Sequence, residues 1–404
     1  MHAKALSWLA AGIGFVLLGC SPMTPPPRLV PDDYPPNAAQ LDSVQLPEAW
    51  AFMEAKWQTA QGPGGWPFVV VIDEGFRDPD DFGRRMDTGP AYGGAGTVVG
   101  TSAADTNALT PDCRGFHGTS VALVLGAISN NQRKPIPCVG CERWYNVAGA
   151  AGPWWTDPSD FSRSHLARGI EMLPVRIAGG AFGLGCGSVP AMTKALRYAA
   201  GETPEYHLQN TYSIRVVNIS KQIVPGNDLT APPDPDLQAA MLNLALKAVV
   251  VLASGDDRQV MSQKGWLAGV GSVVIVGALD RTGTTYWEAT NGTNGTRRGA
   301  AVDIYAPGEA FTLGPETVAE HSADGASFAA PIVSGVLAMM WNANPCMTNE
   351  AHVQTLLDTA DSIHPPQETP SAESTPSRRS SGPTRWEGRA GGFRAVAESG
   401  DAKM

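Results

Sequence analysis

Three short segments carry residue types that together could transfer an acyl group. VVVIDEGF puts Asp73 at the end of a β-branched run, GFHGTSVALVLGA puts His117 before an apolar run, and DGASFAAPIVSGVLAMM puts Ser327 among small residues. A serine hydroxyl is a poor nucleophile at neutral pH. It becomes effective when a base takes its proton, an orienter holds that base and hydrogen-bond donors await the oxyanion. Asp73, His117 and Ser327 fit orienter, base and nucleophile, in that order along the chain. Singly they are ordinary: Asp-x-Gly marks turns, His-Gly-Thr opens helices and Gly-x-Ser caps them. The order Asp, His, Ser is the informative part, because other folds with this chemistry run His, Asp, Ser or Ser, Asp, His.

The elements that must position these residues read as α/β. Stretches 68–72, 171–177, 215–220, 248–253 and 273–279 are short and largely apolar, whereas 118–129, 189–200, 236–246 and 327–341 carry helical patterns. Continuous apolar strands alternating with helices predict a parallel sheet covered on both faces. Asp73 would then stand at the carboxyl edge of the sheet, where open α/β sheets place their sites. His117 and Ser327 would each open a helix, and the backbone N–H of Ser327 would be one oxyanion donor.

These segments resemble the subtilase family over roughly 67–344. Tyr145-Asn146-Val147-Ala148-Gly149 is similar to the strand after the histidine helix, and LPVRIAGGAFGLGCGSVPAMTKALRYAAG to the strand, loop and helix that follow. VVNIS, with Asn218 and Ser220, resembles the substrate-binding strand, and VDIYAPGE matches the Ala-Pro-Gly turn of the family. The resemblance implies a subtilisin-like three-layer α/β fold, with a mostly parallel sheet and helices on both faces. It also implies a serine endopeptidase acting on protein or peptide substrates, with no cofactor required. Structural calcium is common in the family, but its ligands come from variable loops and are not assignable here. Asp78, Asp80, Asp81 and Asp87 are expected to be solvated rather than metal-bound.

The chain departs from the family at the oxyanion. Where subtilases end a strand with Ala-Gly-Asn, this one reads VVVLASGDD, so Asp256 stands at the position of the donor asparagine. An ionised carboxylate has nothing to donate. Loss of that donor in subtilisin lowers turnover by about 10²–10³. Two unit charges about 4 Å apart repel by roughly 4 kcal/mol at an effective dielectric near 20, which would favour a protonated, donating Asp256 and an acidic optimum. The alternative has Asp256 pointing away, with Asp257 or water in its place. Glu74 replaces a small or hydroxyl residue and is expected to face solvent. Leu123 and Ala326 also replace family residues, and Lys221-Gln222-Ile223-Val224-Pro225-Gly226 replaces the usual leucine and glycines of the substrate wall, leaving specificity open.

The ends point to export. Lys4 precedes an apolar run too short for an ordinary spanning helix, and LLGC resembles a lipobox, so residues 1–19 read as a lipoprotein signal and Cys20 as a lipidated N-terminus in the bilayer. An ordinary signal with an incidental cysteine is the alternative. Residues 20–45 read as a Pro-rich tether and 46–65 as an N-terminal extension, an apolar helix packed on the domain rather than a cleaved inhibitor. The peptidase domain is expected over 66–362, a low-complexity insertion or tail over 363–387, and a closing segment of the domain over 388–404. The expected location is the cell envelope, at the outer membrane of a Gram-negative bacterium, or the medium. A net charge of −10 argues against nucleic acid as a partner. Leaving Cys20 aside, Cys113, Cys138, Cys141, Cys186 and Cys346 would form two disulfides and one free thiol. Cys138 and Cys141 lack the second pair that a zinc site needs. The competing function is a catalytically impaired relative that binds peptides in the same cleft.

Overall fold

A computed structural model describes residues 38–57, 68–76, 97–98, 117–127, 148–152, 170–177, 188–202, 214–221, 223, 229–230, 233–290, 292–313, 322–362 and 389–390. Two helices come first, α1 (Ala38–Ser43) and α2 (Leu46–Trp57). The α/β alternation then runs β1 (Phe68–Asp73), β2 (Thr97–Val98), α3 (His117–Gly126), β3 (Glu171–Arg176), α4 (Val189–Ala199), β4 (Ile214–Ile219), α5 (Pro235–Ala245), β5 (Val249–Ala253), β6 (Val273–Leu279) and β7 (Ile304–Pro307). A small antiparallel pair, β8 (Phe311–Thr312) and β9 (Ser322–Ala323), leads into α6 (Ala326–Ala343), α7 (Asn349–Thr359), β10 (Asp361–Ser362) and β11 (Arg389–Ala390). The strands expected over 68–72, 171–177, 215–220, 248–253 and 273–279 and the helices over 118–129, 189–200, 236–246 and 327–341 are present, with ends displaced by at most three residues. Ala148 and Gly149, expected to close a strand after the histidine helix, form none, and the Gly149 amide instead bonds back to the Ala127 carbonyl at the end of α3.

The main sheet has the order β10-β11-β7-β6-β5-β4-β1-β3-β2 and is parallel except where β10 meets β11. Alternation along β1 explains the layers. Val69 and Val71 enter one core with α3 and α6, while Val70 and Ile72 enter the other with α4 and α5. Fully buried strands of this kind need helices on both faces, and these two cores supply them. The longest helix, α6, is apolar enough to cross a membrane by length and composition, but 78% of it is buried in the first core.

The tether predicted over 20–45 ends earlier than expected. Residues 38–43 form α1, with Leu41 buried and Gln40 Nε2 donating to the carbonyls of Glu309 (2.8 Å) and Ala310 (3.1 Å). The apolar residues Leu41 and Val44 give this stretch surface to bury, which the prolines before it lack. In α2, Leu46, Trp50 and Met53 are buried, and Trp50 Nε1 donates to the Ala150 carbonyl at 3.1 Å. Both helices therefore pack on the α3 and α6 face.

Candidate active site

The strand order reverses at β1, since the chain goes from β1 to β3 on one side and returns to β4 on the other. Ligand crevices form at the carboxyl ends of strands at such switch points. Asp73 ends β1 there, with no side-chain exposure. His117 opens α3 and puts Nδ1 3.0 Å from Asp73 Oδ1 and 3.1 Å from Oδ2. Only glycine permits this approach at position 118, where a Cβ would stand 2.2 Å from the Gly75 carbonyl oxygen. Burial pushes the Asp73 pKa up, but the His117 and Lys221 charges and the hydrogen bonds from His117 and the Glu74 amide outweigh it, so the net direction is down. An ionised Asp73 fixes the imidazole with Nδ1 toward it and Nε2 free to act.

Ser327 lies in the first turn of α6, and the Phe328 ring sits 5.6 Å from the His117 ring. Its hydroxyl donates to the Ser220 carbonyl at 3.1 Å. Proline at 331 has no N–H, so the Ser327 carbonyl lacks its usual partner four residues on. The Ser220 hydroxyl fills that place, donating to Ser327 O at 2.7 Å. Behind it, Asn218 Nδ2 donates to Ser220 Oγ (3.1 Å) and Asn218 Oδ1 accepts from Ser334 Oγ (2.9 Å). Asn218, expected in the substrate region, is thus fully buried behind Ser220 and joins β4 to α6. The Ser327-x-x-x-Pro331 spacing was the sequence signal for this link.

Asp256 follows β5 and stays at the start of α6. Its Oδ1 accepts from the Ala326 amide at 2.8 Å, so the carboxylate caps the serine helix. Gly325 has φ 123°, and a Cβ on it would come within 2.6 Å of Asp256 Oδ2. Burial pushes the Asp256 pKa up, and repulsion from Asp257 adds to it. The Ala326 amide and the charges of His117 and Arg297 pull it down, leaving a net rise. Asp257 does not take its place. It turns to Arg297, whose Nε lies 2.7 Å from Oδ1 and Nη2 2.5 Å from Oδ2. Ala326 and Leu123, the other two departures, are both fully buried.

The expectation that Glu74 faces solvent is overturned. Its side chain is 2% exposed, and its Oε1 lies 2.6 Å from Lys221 Nζ, itself on a side chain 9% exposed. The same ammonium is 3.8 Å from Asp73 Oδ1. Arg176, at the end of β3, donates from Nε to the Glu74 carbonyl at 3.3 Å. Parallel pairing of β1 with β3 and β4 brings these cations to the end of β1, and their charges make burial of a second carboxylate feasible. Beyond Lys221, Ile223, Leu229, Leu252, Met261 and Ile275 line a recess.

Cys20, Cys113, Cys138, Cys141 and Cys186 lie outside the described residues, as do Asp78, Asp80, Asp81, Asp87 and Tyr145 to Val147. Cys346 is a free, exposed thiol. Among the described residues there is no group of three His, Cys, Asp or Glu side chains placed to hold a metal ion.

The profile of the subtilase family (peptidase S8) matches residues 66–390. An extracellular protease of Xanthomonas campestris pv. campestris is 25% identical over 348 residues, covering 78% of this chain and 52% of that protein. The chain thus spans about half the length of that curated relative. A solved protease of Pseudoalteromonas arctica superposes with a TM-score of 0.54 at 20% identity, covering 83% of this chain and 93% of the other. The MycP3 protease of the type VII (ESX-3) secretion system superposes with a TM-score of 0.51 at 22% identity, covering 82% and 85%. Both structural likenesses establish the subtilisin-like fold.

Proposed function

The chain belongs to the subtilase family, and on that premise we propose that it is an exported serine endopeptidase working through Asp73, His117 and Ser327. The observation that carries this reading is the pairing of His117 Nδ1 with both oxygens of buried Asp73, at the sheet edge where α6 presents Ser327. In the reaction Ser327 Oγ releases the Ser220 carbonyl, gives its proton to His117 Nε2 and attacks the scissile carbonyl carbon. Asp73 holds the imidazolium that results. The oxyanion accepts hydrogen bonds from the Ser327 N–H and from the O–H of protonated Asp256. Collapse then breaks the C–N bond, His117 returns the proton to the leaving amine, and water releases the acyl group by the same steps reversed.

Protonated Asp256 is the oxyanion donor in this reading, supported by its burial and raised pKa. Cys20 anchors the mature protein in the envelope membrane, and the lipobox sequence supports this. A cleavage assay with a peptide library, scanned over pH, tests the activity. Cutting that disappears in Ser327→Ala is expected. The Asp256 carboxylate at the oxyanion position also supports a second reading, a peptide-binding relative with impaired turnover. Saturable peptide binding with no cutting from acid to alkaline pH favours that alternative.

A further inference from the structure

We propose that Lys221 and Glu74 form a charge-balancing pair that positions Asp73 and sets the pH at which the His117 base becomes competent. The inference rests on the serine-peptidase reading above. Five charged or titratable groups meet at the end of β1: Asp73 on β1, Glu74 just after it, Arg176 from β3, Lys221 after β4 and His117 from α3. Asp256, after β5, also interacts electrostatically with His117. Lys221 Nζ is held 2.6 Å from Glu74 Oε1 and only 3.8 Å from Asp73 Oδ1, on a side chain 9% exposed.

Neither partner can leave alone without changing the charge that His117 senses through Asp73. The ammonium opposes protonation of the imidazole, and the Glu74 carboxylate favours it. At 3.8 Å the Lys221 charge helps hold the Asp73 carboxyl below its ordinary pKa, and the carboxylate of Glu74, 2.6 Å from the same ammonium, tempers that charge. Lys221 therefore holds Asp73 ionised, and Glu74 offsets the excess positive charge and fixes the ammonium in place. Lys221 and Glu74 touch no reacting atom and act through Asp73, so both are positioning residues.

The test is the acidic limb of the kcat/KM profile on the full chain, which reports the base of the free enzyme. Lys221→Met should move the limb up by about one pH unit, Glu74→Gln should move it down by about as much, and the double variant should return it near wild type. Lys221→Arg, which keeps the charge, should leave the limb where it is. A purely structural pair would lower kcat in both single variants and shift neither limb. Limbs that stay put, or that move the same way, in variants that still cut peptide overturn this inference alone. A wild type that cuts nothing at any pH overturns the peptidase reading, and this inference falls with it.

Discussion

Asp256 answers to two opposed demands at one atom group. As a carboxylate it caps α6 through the Ala326 amide, and as a carboxylic acid it can donate to an oxyanion. Burial favours the acid, so the donor is present in a fraction of molecules that grows as pH falls. Asp256→Asn supplies a permanent donor. Turnover near neutral pH should rise by about tenfold or more and the preference for acid should vanish, as followed by kcat against pH. An unchanged profile would contradict the assigned role. The oxyanion question was legible in the sequence, because a strand end with Asp in place of Asn shows directly. The fate of Glu74 was not legible. Solvation is the default for a glutamate, and only the sheet order reveals that Lys221, distant in sequence, arrives beside it.

At the scale of elements, the α/β alternation was plain because buried strands and amphipathic helices differ in period, and these segments keep to one or the other. The links between elements were not. Ser220 fastens β4 to α6 by satisfying the carbonyl that Pro331 leaves open. Ser220→Ala should therefore cost about 1 kcal/mol of stability in chemical denaturation, through the lost bond to a half-buried acceptor. The same variant should lower kcat, since Ser327 then loses one support on its main chain. The N-terminal helices are equally part of the domain. Trp50→Ala removes a fully buried side chain and its bond to Ala150, and should destabilise by about 3–5 kcal/mol. A cleavable extension would show no such loss.

For the whole molecule, two aspartates, Asp73 buried and Asp256 half-buried, tie stability to pH with opposite signs. Asp73 has a lowered folded pKa, so its contribution is complete above the ordinary value of 3.8 and is lost as pH falls through the folded value. Asp256 has a raised folded pKa, so its contribution is complete below 3.8 and is lost as pH rises through the folded value. In a Ser327→Ala background, which prevents self-digestion, Asp256→Asn should raise Tm more at pH 7 than at pH 4. Family and fold both followed from three motifs, because their order and flanking residues belong to one α/β arrangement. The most direct test of the central claim is labelling of the full chain with a fluorophosphonate probe, with the modified residue located by peptide mass. We expect a single adduct on Ser327 that is lost in Ser327→Ala and in His117→Ala. Absence of labelling across the pH range, or labelling that survives Ser327→Ala, would contradict the account.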